Sequence, residues 1–392
     1  MRQMFDTHAP DQYFSEDHLA FRRAMRSFVD QEIRPNIDEW ERAERLPRAL
    51  YRQAAGVGFL GLLYPEAYGG SEADIFMQIV ATEELGLTGA GGVGASLGSH
   101  SIAIPPIAAI GSKTLKQRVL PPVIAGEKIA ALAITEPSGG SDVAALKTTA
   151  RRDGDSYVIN GEKAFITSGM QADFLTVACR TDPANPGPGG LSFILVEGDT
   201  PGLTRTALHK MGWHASDTAL LHFDNVRVPA DNLVGAEGEG FKAAMLNFNN
   251  ERLTLAVIAY AAAQACLDEA TDWARTRRTF GKPLIEQQVI RHKLVDMAMR
   301  IQSARALVLD VAWRHLHRMD PLNIHVARTG MAKITATDTV QFVASEAVQI
   351  MGAMGYMRGS TCERVFRETK VLSIGGGTDE VIRNLVASQM GI

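Results

Sequence analysis

Apolar residues at Phe21, Met25, Phe28 and Val29 share one helical face, and Ser15 followed by Glu16 and Asp17 has the pattern of an N-cap and acidic first turn. The spacing predicts a helix from Ser15 to Arg34, stopped by Pro35. Helical periodicity continues through "LPRALYRQAAGVGFLGLL" and "MQIVATEELGL" to "TLKQRVLPPVIAGE", where Pro121 and Pro122 are expected to interrupt it. A first helical unit should close near residue 125. The texture then shifts to short β-rich runs, "YVINGEKAFITSG", "DFLTVACR", "LSFILVEG" and "ALLHFDNVRVP", broken by Gly, Pro and Asp. Asn160-Gly161, between Tyr157-Val158-Ile159 and Lys163-Ala164-Phe165-Ile166, predicts a β-hairpin turn, and "TDPANPGPGG" (181–190) predicts an exposed loop between strands. From Gly240 the helical period returns, with one long helix expected to end at Gly281 and Pro283 and further helices after it. The order predicts an α+β chain of three domains: 1–125 helical, 126–233 β, and 234–392 helical.

A chain of 392 residues exceeds one ordinary core and has room for a cofactor pocket. With 46% apolar and 21% charged residues it reads as a globular protein, and no apolar run reaches the roughly 18 residues that cross a bilayer. A net charge of -4 gives no global attraction to nucleic acid or anionic lipid, so a phosphate ligand has to be held locally. Cys179, Cys266 and Cys362 are too scattered for a disulfide framework or zinc site. The N-terminal "MRQMFDTHAPDQYF" lacks both a signal core and an Arg-rich transit pattern, and "SQMGI" is no peroxisomal address. A bacterial cytoplasmic protein is the expectation; a mitochondrial matrix protein relieved of its transit peptide would look the same.

Several motifs are excluded by their context. The glycines of "GAGGVGASLGS" (89–99) follow no strand and miss the dinucleotide-binding spacing, so they predict a bend or close helix approach. The ten histidines contain no HExxH, His315 and His317 do not share a helical face, and no GxSxG elbow is present, so neither a metal site nor a serine triad is suggested. "ALAITEPSGGSDVAALKTTA" (131–150) is different: an apolar run opens into a Ser-Gly-Gly-Ser-Asp turn rich in exposed N–H groups and hydroxyls. That turn suits either a pyrophosphate or ring edge, or an ordinary glycine loop. "FITSG" (165–169) adds a second hydroxyl, Thr167.

"ITEPSGGSDVAALKTTA", "INGEKAFITSG", "KMGWHASDTALLHFDNVRVP", "GEGFKAAMLNFNNERL", "TRRTFGKPL" and "VQIMGAMGYMRG" occur in this order, and from about Phe14 to Gln389 the chain strongly resembles the acyl-CoA dehydrogenases. The resemblance implies an N-terminal helical domain, a middle β-barrel-like or β-sandwich domain and a C-terminal four-helix bundle. It implies FAD between the last two, an acyl-CoA substrate, electron-transfer flavoprotein as partner, and a homotetramer whose neighbouring subunit completes each site. By similarity, Leu132, Ala133, Ile134 and Thr135 through Ser141 line the flavin, with Phe165 and Ile166 beside it and Thr135 and Thr167 hydrogen-bonding it. Arg277, Arg278, Thr279, Gln287, Gln288 and the run Gln349, Ile350, Met351, Gly352, Ala353 correspond to contacts with the neighbour's FAD. A guanidinium fork such as that of Arg277 suits a pyrophosphate. Thr378, Asp379 and Glu380 are implied near FAD, and Ser141, Asn249, Arg252 and Gly377 near the thioester. Three positions depart from the family pattern: "PSGGSD" for "PGAGSD", Phe165 for tryptophan and Ala353 for glycine.

The family reaction needs a carboxylate to take the substrate's α-proton. Many members carry it as the glutamate of a C-terminal "YEGT", but this chain reads "GGGT", with Gly376 at that place. Isovaleryl- and long-chain-type members carry it instead on the first long C-terminal helix, near an "ERL"; here that is Glu251-Arg252-Leu253. Glu251 shares a helical face with Phe248, Leu255 and Ile258, so burial should raise its pKa, and Arg252, off that face, need not neutralise it. The backbone N–H of Gly376 is implied as a donor to the thioester carbonyl. Asp379 and Glu380 are the reserve candidates for the base. A flavin oxidase on the same fold, related to acyl-CoA oxidase or nitroalkane oxidase, and a non-catalytic acyl-CoA-binding protein stay open as alternatives.

Overall fold

Ser15 does open the first helix, Glu16–Phe28, with its hydroxyl 2.7 Å and its backbone N–H 3.0 Å from His18 Nδ1. The computed structural model describes residues 9–392, except the side chain of Leu246; part of the N-terminal stretch read for a leader lies outside them. The helix does not continue as α to Arg34: a π turn (Val29–Ile33) and a 3-10 turn (Arg34–Asn36) follow, which accommodates Pro35 while keeping Val29 and Ile33 in the core. Nor do the prolines interrupt their helix, which runs Lys113–Ile124. They lie inside it and deprive the carbonyls of Gln117 and Arg118 of their i+4 donors, but both residues are exposed to solvent, and the prolines' own carbonyls still accept from Ala125 N and Glu127 N at 2.9 Å.

The middle of the chain forms eight strands: β1 (Ala130–Ala133), β2 (Thr149–Asp153), β3 (Ser156–Thr167), β4 (Phe174–Arg180), β5 (Leu191–Glu197), β6 (Leu203–Ala207), β7 (Thr218–Pro229) and β8 (Leu233–Val234). They join in one mixed sheet ordered β6-β7-β3-β2-β4-β5-β8, with β1 parallel to β4. The hairpin expected at Asn160-Gly161 is absent. β3 runs straight through both residues with a bulge in its pairing to β7, and the chain turns earlier, between β2 and β3, at Gly154. Gly161 is needed for a different reason: a side chain there would begin 2.6 Å from Thr148 Oγ1. The loop 181–190 lies between β4 and β5 as expected.

The long C-terminal helix spans Gly240–Thr276, ending ahead of a small Arg278–Thr279/Lys282–Pro283 ladder. It packs against Gln288–Leu316 and Leu322–Met351, with Thr361–Leu372 and Asp379–Met390 closing the unit. One window of the long helix is apolar enough to cross a membrane, yet 72% of it is buried in the protein, as expected of a core helix. Its alanine-rich middle also receives the N-terminal helix Ile75–Gly86: a side chain on Gly86 would begin 2.7 Å from Ala261 Cβ. A buried ion cluster locks this contact. Glu83, fully buried, accepts from Arg22 at 2.6 Å, Arg305 at 2.8 Å and the Tyr260 hydroxyl at 2.9 Å, so three segments distant in sequence meet on one carboxylate.

Candidate active site

Glu251 and the glycine turn converge, although 125 residues separate Glu251 from Gly376. Gly376 has φ +67°, and a side chain there would begin 3.9 Å from Glu251 Oε1 and 2.7 Å from Leu255 Cδ1. The place left vacant in "GGGT" is therefore the space that the Glu251 carboxylate faces. Burial pushes the Glu251 carboxyl up to about 7 against the pull of the Arg252 and Lys333 cations. Arg252 corrects the sequence reading. It is off the Glu251 face at its Cα, but its side chain curls back to donate from Nε to Gly376 O at 3.2 Å and from Nη1 to Asn249 Oδ1 at 3.3 Å. Its charge does act on Glu251. Lys333, which sequence reasoning missed, is fully buried and donates to Gly377 O (3.1 Å) and Asp379 Oδ1 (3.0 Å).

The reserve bases fare poorly. Asp379 is held in that buried pair, Thr378 caps the last helix by accepting from Val381 N at 3.3 Å, and Glu380 is exposed. Another buried carboxyl, Glu368, is also pushed up by burial, to about 8, but its oxygens accept from the backbone N–H groups of Gly91 (2.8 Å) and Trp213 (3.2 Å). It joins three segments of the fold.

Glu251 lines a cavity of about 350 Å³ between the long helix and the N-terminal unit. One wall is Asn247, Asn250, Thr254 and Ile258 on the long helix, so the Glu251 face is more polar than its apolar neighbours in sequence suggested. The opposite wall uses the glycine stretch that the sequence reading assigned to close approach. Gly92 would meet Trp213 backbone at 3.0 Å and Gly91 the Trp213 ring at 2.4 Å, whereas a side chain on Gly94 would project into open space as far as Ile258 Cδ1 at 3.9 Å. His100 lines the cavity too, but burial pushes its pKa down to about 4 and its ring nitrogens face the carbonyls of Leu97 (2.7 Å) and Leu60 (2.9 Å). It is a neutral wall residue. Gly94→Leu is expected to fold but to take up part of this space, so longer ligands should lose affinity before shorter ones, as binding measurements over a chain-length series will show.

At the β domain, Thr135 and Thr167 are half-buried and Ser141 exposed. Phe165 is 68% exposed at φ +61°, a conformation that bulky residues seldom adopt. Ala133, Ile134 and Ile166 are buried in the sheet cores, so only their backbones are available to a ligand; Leu132 is half-buried. The base of the loop is fastened by a network that sequence reasoning also missed. Fully buried Lys163 donates to Ile134 O and Glu136 Oε1, both at 2.9 Å, while Glu136 accepts from Lys147 N and Thr148 N, both at 2.8 Å.

Three family profiles match the chain in sequence order: acyl-CoA dehydrogenase N-terminal domain over residues 15–127, middle domain over 131–226, and C-terminal domain over 238–391. The chain belongs to the acyl-CoA dehydrogenase family. Human mitochondrial short-chain specific acyl-CoA dehydrogenase is 36% identical, covering 96% of this chain and 90% of its own. The rat mitochondrial long-chain specific enzyme is 35% identical over 96% and 87%. A probable acyl-CoA dehydrogenase from Mycobacterium abscessus ATCC 19977 / DSM 44196 superposes with a TM-score of 0.93 at 47% identity, covering 97% of this chain and all of its own. The identities to the short-chain and long-chain enzymes are nearly equal.

Acyl-CoA dehydrogenases are FAD-dependent oxidoreductases, and this chain's residues fit the cofactor. The 137–141 turn is exposed, Gly139 has open space where a side chain would stand, and Phe165 offers an uncovered ring. On the dehydrogenase's helical unit, Arg277, Arg278 and Gln288 are exposed, Gln287 stands at the start of Gln288–Leu316, and the buried Thr279 hydroxyl has no partner. Gln349, Gly352 and Ala353 are exposed, but Ile350 and Met351 point into the core.

Proposed function

We propose that this dehydrogenase converts a saturated acyl-CoA to the trans-2-enoyl-CoA, with Glu251 taking the α-proton. The observation that carries the reading is the carboxylate itself: half-buried, facing a cavity, and 3.9 Å from where a side chain at Gly376 would start. A carboxylate with a pKa near 7 is matched to a proton transfer at neutral pH. Bound FAD supplies the acceptor for the β-hydride, at flavin N5. Thr135, Ser141, Phe165 and Thr167 would hold the ring, and Arg277, Arg278, Thr279, Gln287, Gln288, Gln349, Gly352 and Ala353 would reach the cofactor of a neighbouring subunit in a homotetramer. The Gly376 N–H polarises the thioester carbonyl, and Asn249, Arg252 and Gly377 support that end of the substrate. Electrons then pass to an electron-transfer flavoprotein in the bacterial cytoplasm or the mitochondrial matrix.

The test is anaerobic titration with straight, branched and cyclic acyl-CoAs while the flavin absorbance is followed. At least one should bleach the flavin stoichiometrically; rapid peroxide formation on admitting air would instead indicate an oxidase, and no bleaching by any acyl-CoA would defeat the reading. The pH dependence has a definite sign. Glu251 accepts a proton only when ionised, so flavin reduction should rise with pH through about 7 and level off above it. Below that midpoint it should fall about tenfold per pH unit.

A further inference from the structure

We propose that Lys333 is a positioning residue of the dehydrogenation, pinning the glycine turn opposite Glu251 and supplying, with Arg252, the positive charge that favours the base in its ionised form. The inference rests on the assignment of Glu251 as base. Lysine is among the residues least often fully buried, and an ammonium leaves water only where partners replace it. Lys333 lies inside the helix Leu322–Met351 with no solvent exposure, and it donates to one carbonyl and one carboxylate.

A buried ion pair of this kind is weak evidence of stabilisation, since well-packed apolar residues often serve as well. Its location is what singles it out. Gly376 and Gly377 have φ of +67° and +101° and no side chains with which to fix themselves. Two cations grip their successive carbonyls instead: Arg252 takes Gly376 O at 3.2 Å and Lys333 takes Gly377 O at 3.1 Å. The turn is thus tied to the long helix by one bond and to Leu322–Met351 by the other, while Glu251 Oε1 stands 3.9 Å from the Gly376 side-chain position.

The charges around Glu251 come from each packed element. Arg252 lies on its own helix, Lys333 on Leu322–Met351, and Asp379 at the start of the last helix, 3.0 Å from Lys333. From the opposite cavity wall comes His100, which is neutral at working pH. Both cations pull the Glu251 pKa down against burial. Removing Lys333 should raise it, the more so because Asp379 loses its counter-ion. Removing the Asp379 charge should lower it, because Lys333 is then uncompensated.

The experiment is the pH profile of anaerobic flavin reduction for the FAD-loaded wild type, Lys333→Met, Lys333→Arg and Asp379→Asn, at saturating substrate. Lys333→Met should move the midpoint up by about half a unit or more, and Asp379→Asn should move it down by a similar amount. Lys333→Arg should restore most of the wild-type midpoint. At neutral pH Lys333→Met should slow reduction about twofold or more with little change in substrate affinity. Midpoints that stay fixed, or that shift in the same direction in both charge-removing variants, would overturn the proposal and reduce the pair to a structural tie. If Lys333→Met fails to fold or retain FAD, Asp379→Asn still decides the direction. Failure of the underlying assignment shows separately, as full flavin reduction by Glu251→Gln.

Discussion

Glu251→Gln is expected to lower substrate-driven flavin reduction by about 10²–10⁴-fold while FAD remains bound. The substitution keeps the volume and removes only the proton acceptor, so a folded, yellow, inert enzyme is the result that supports the assignment. Visible absorbance and anaerobic stopped-flow measurements check it, and turnover near that of the wild type would defeat it. Other carboxylates are poorly placed to substitute: Asp379 is held by Lys333, Glu368 by two backbone N–H groups, and Glu380 faces solvent. Adding Gly376→Glu to the inert variant should not rescue it. The new side chain would start 2.7 Å from Leu255 Cδ1 on a backbone of φ +67°, so Leu255 has to be shortened as well before a carboxylate can enter from that side.

The second large effect concerns stability. Glu83→Ala should cost about 3 kcal/mol, because it removes the buried carboxylate on which Arg22, Arg305 and the Tyr260 hydroxyl converge, although Arg22 keeps Glu84 at 3.3 Å. Thermal and denaturant unfolding of the FAD-free and FAD-loaded protein will measure it; a loss below about 1 kcal/mol would show that the cluster relaxes. The wild-type contribution has a predictable pH window. Burial pushes Glu83 up, but Arg305 and Arg22 outweigh it and hold the carboxyl at about 2, below its ordinary 4.5. Its stabilisation is therefore complete above pH 4.5 and is lost as pH falls towards 2.

The helix–sheet–helix order was legible because long apolar periods dominate their segments. Local signals misled where tertiary contacts overrode them. Asn160-Gly161 has hairpin chemistry, but glycine is required there by the approach of Thr148 to a bulged strand. Pro121-Pro122 looks like a helix stop, yet the carbonyls it deprives of donors belong to Gln117 and Arg118 on the solvent side of the helix, where water can replace them. At the site, Glu251 was singled out because the resemblance left Gly376 without a carboxylate, and the structure brings the two positions together. Lys333, Lys163 and Glu136 were not found, since a lysine in a helix or strand pattern gives no sign that it is buried. The reach of Arg252 was missed because helical-wheel geometry places Cα atoms and says little about where a long side chain ends.

The cavity that Glu251 lines has two unlike walls. Glu251 stands on a 37-residue helix wedged into the core, whereas Gly94 belongs to a seven-residue helix whose missing side chain leaves open space. On the proposed assignment of Glu251 as base, proton chemistry and the room left for a substrate are carried by separate stretches of chain. Duplicated descendants of this enzyme can diverge in what they accept by editing the short glycine segment alone, with the reactive wall inherited unchanged.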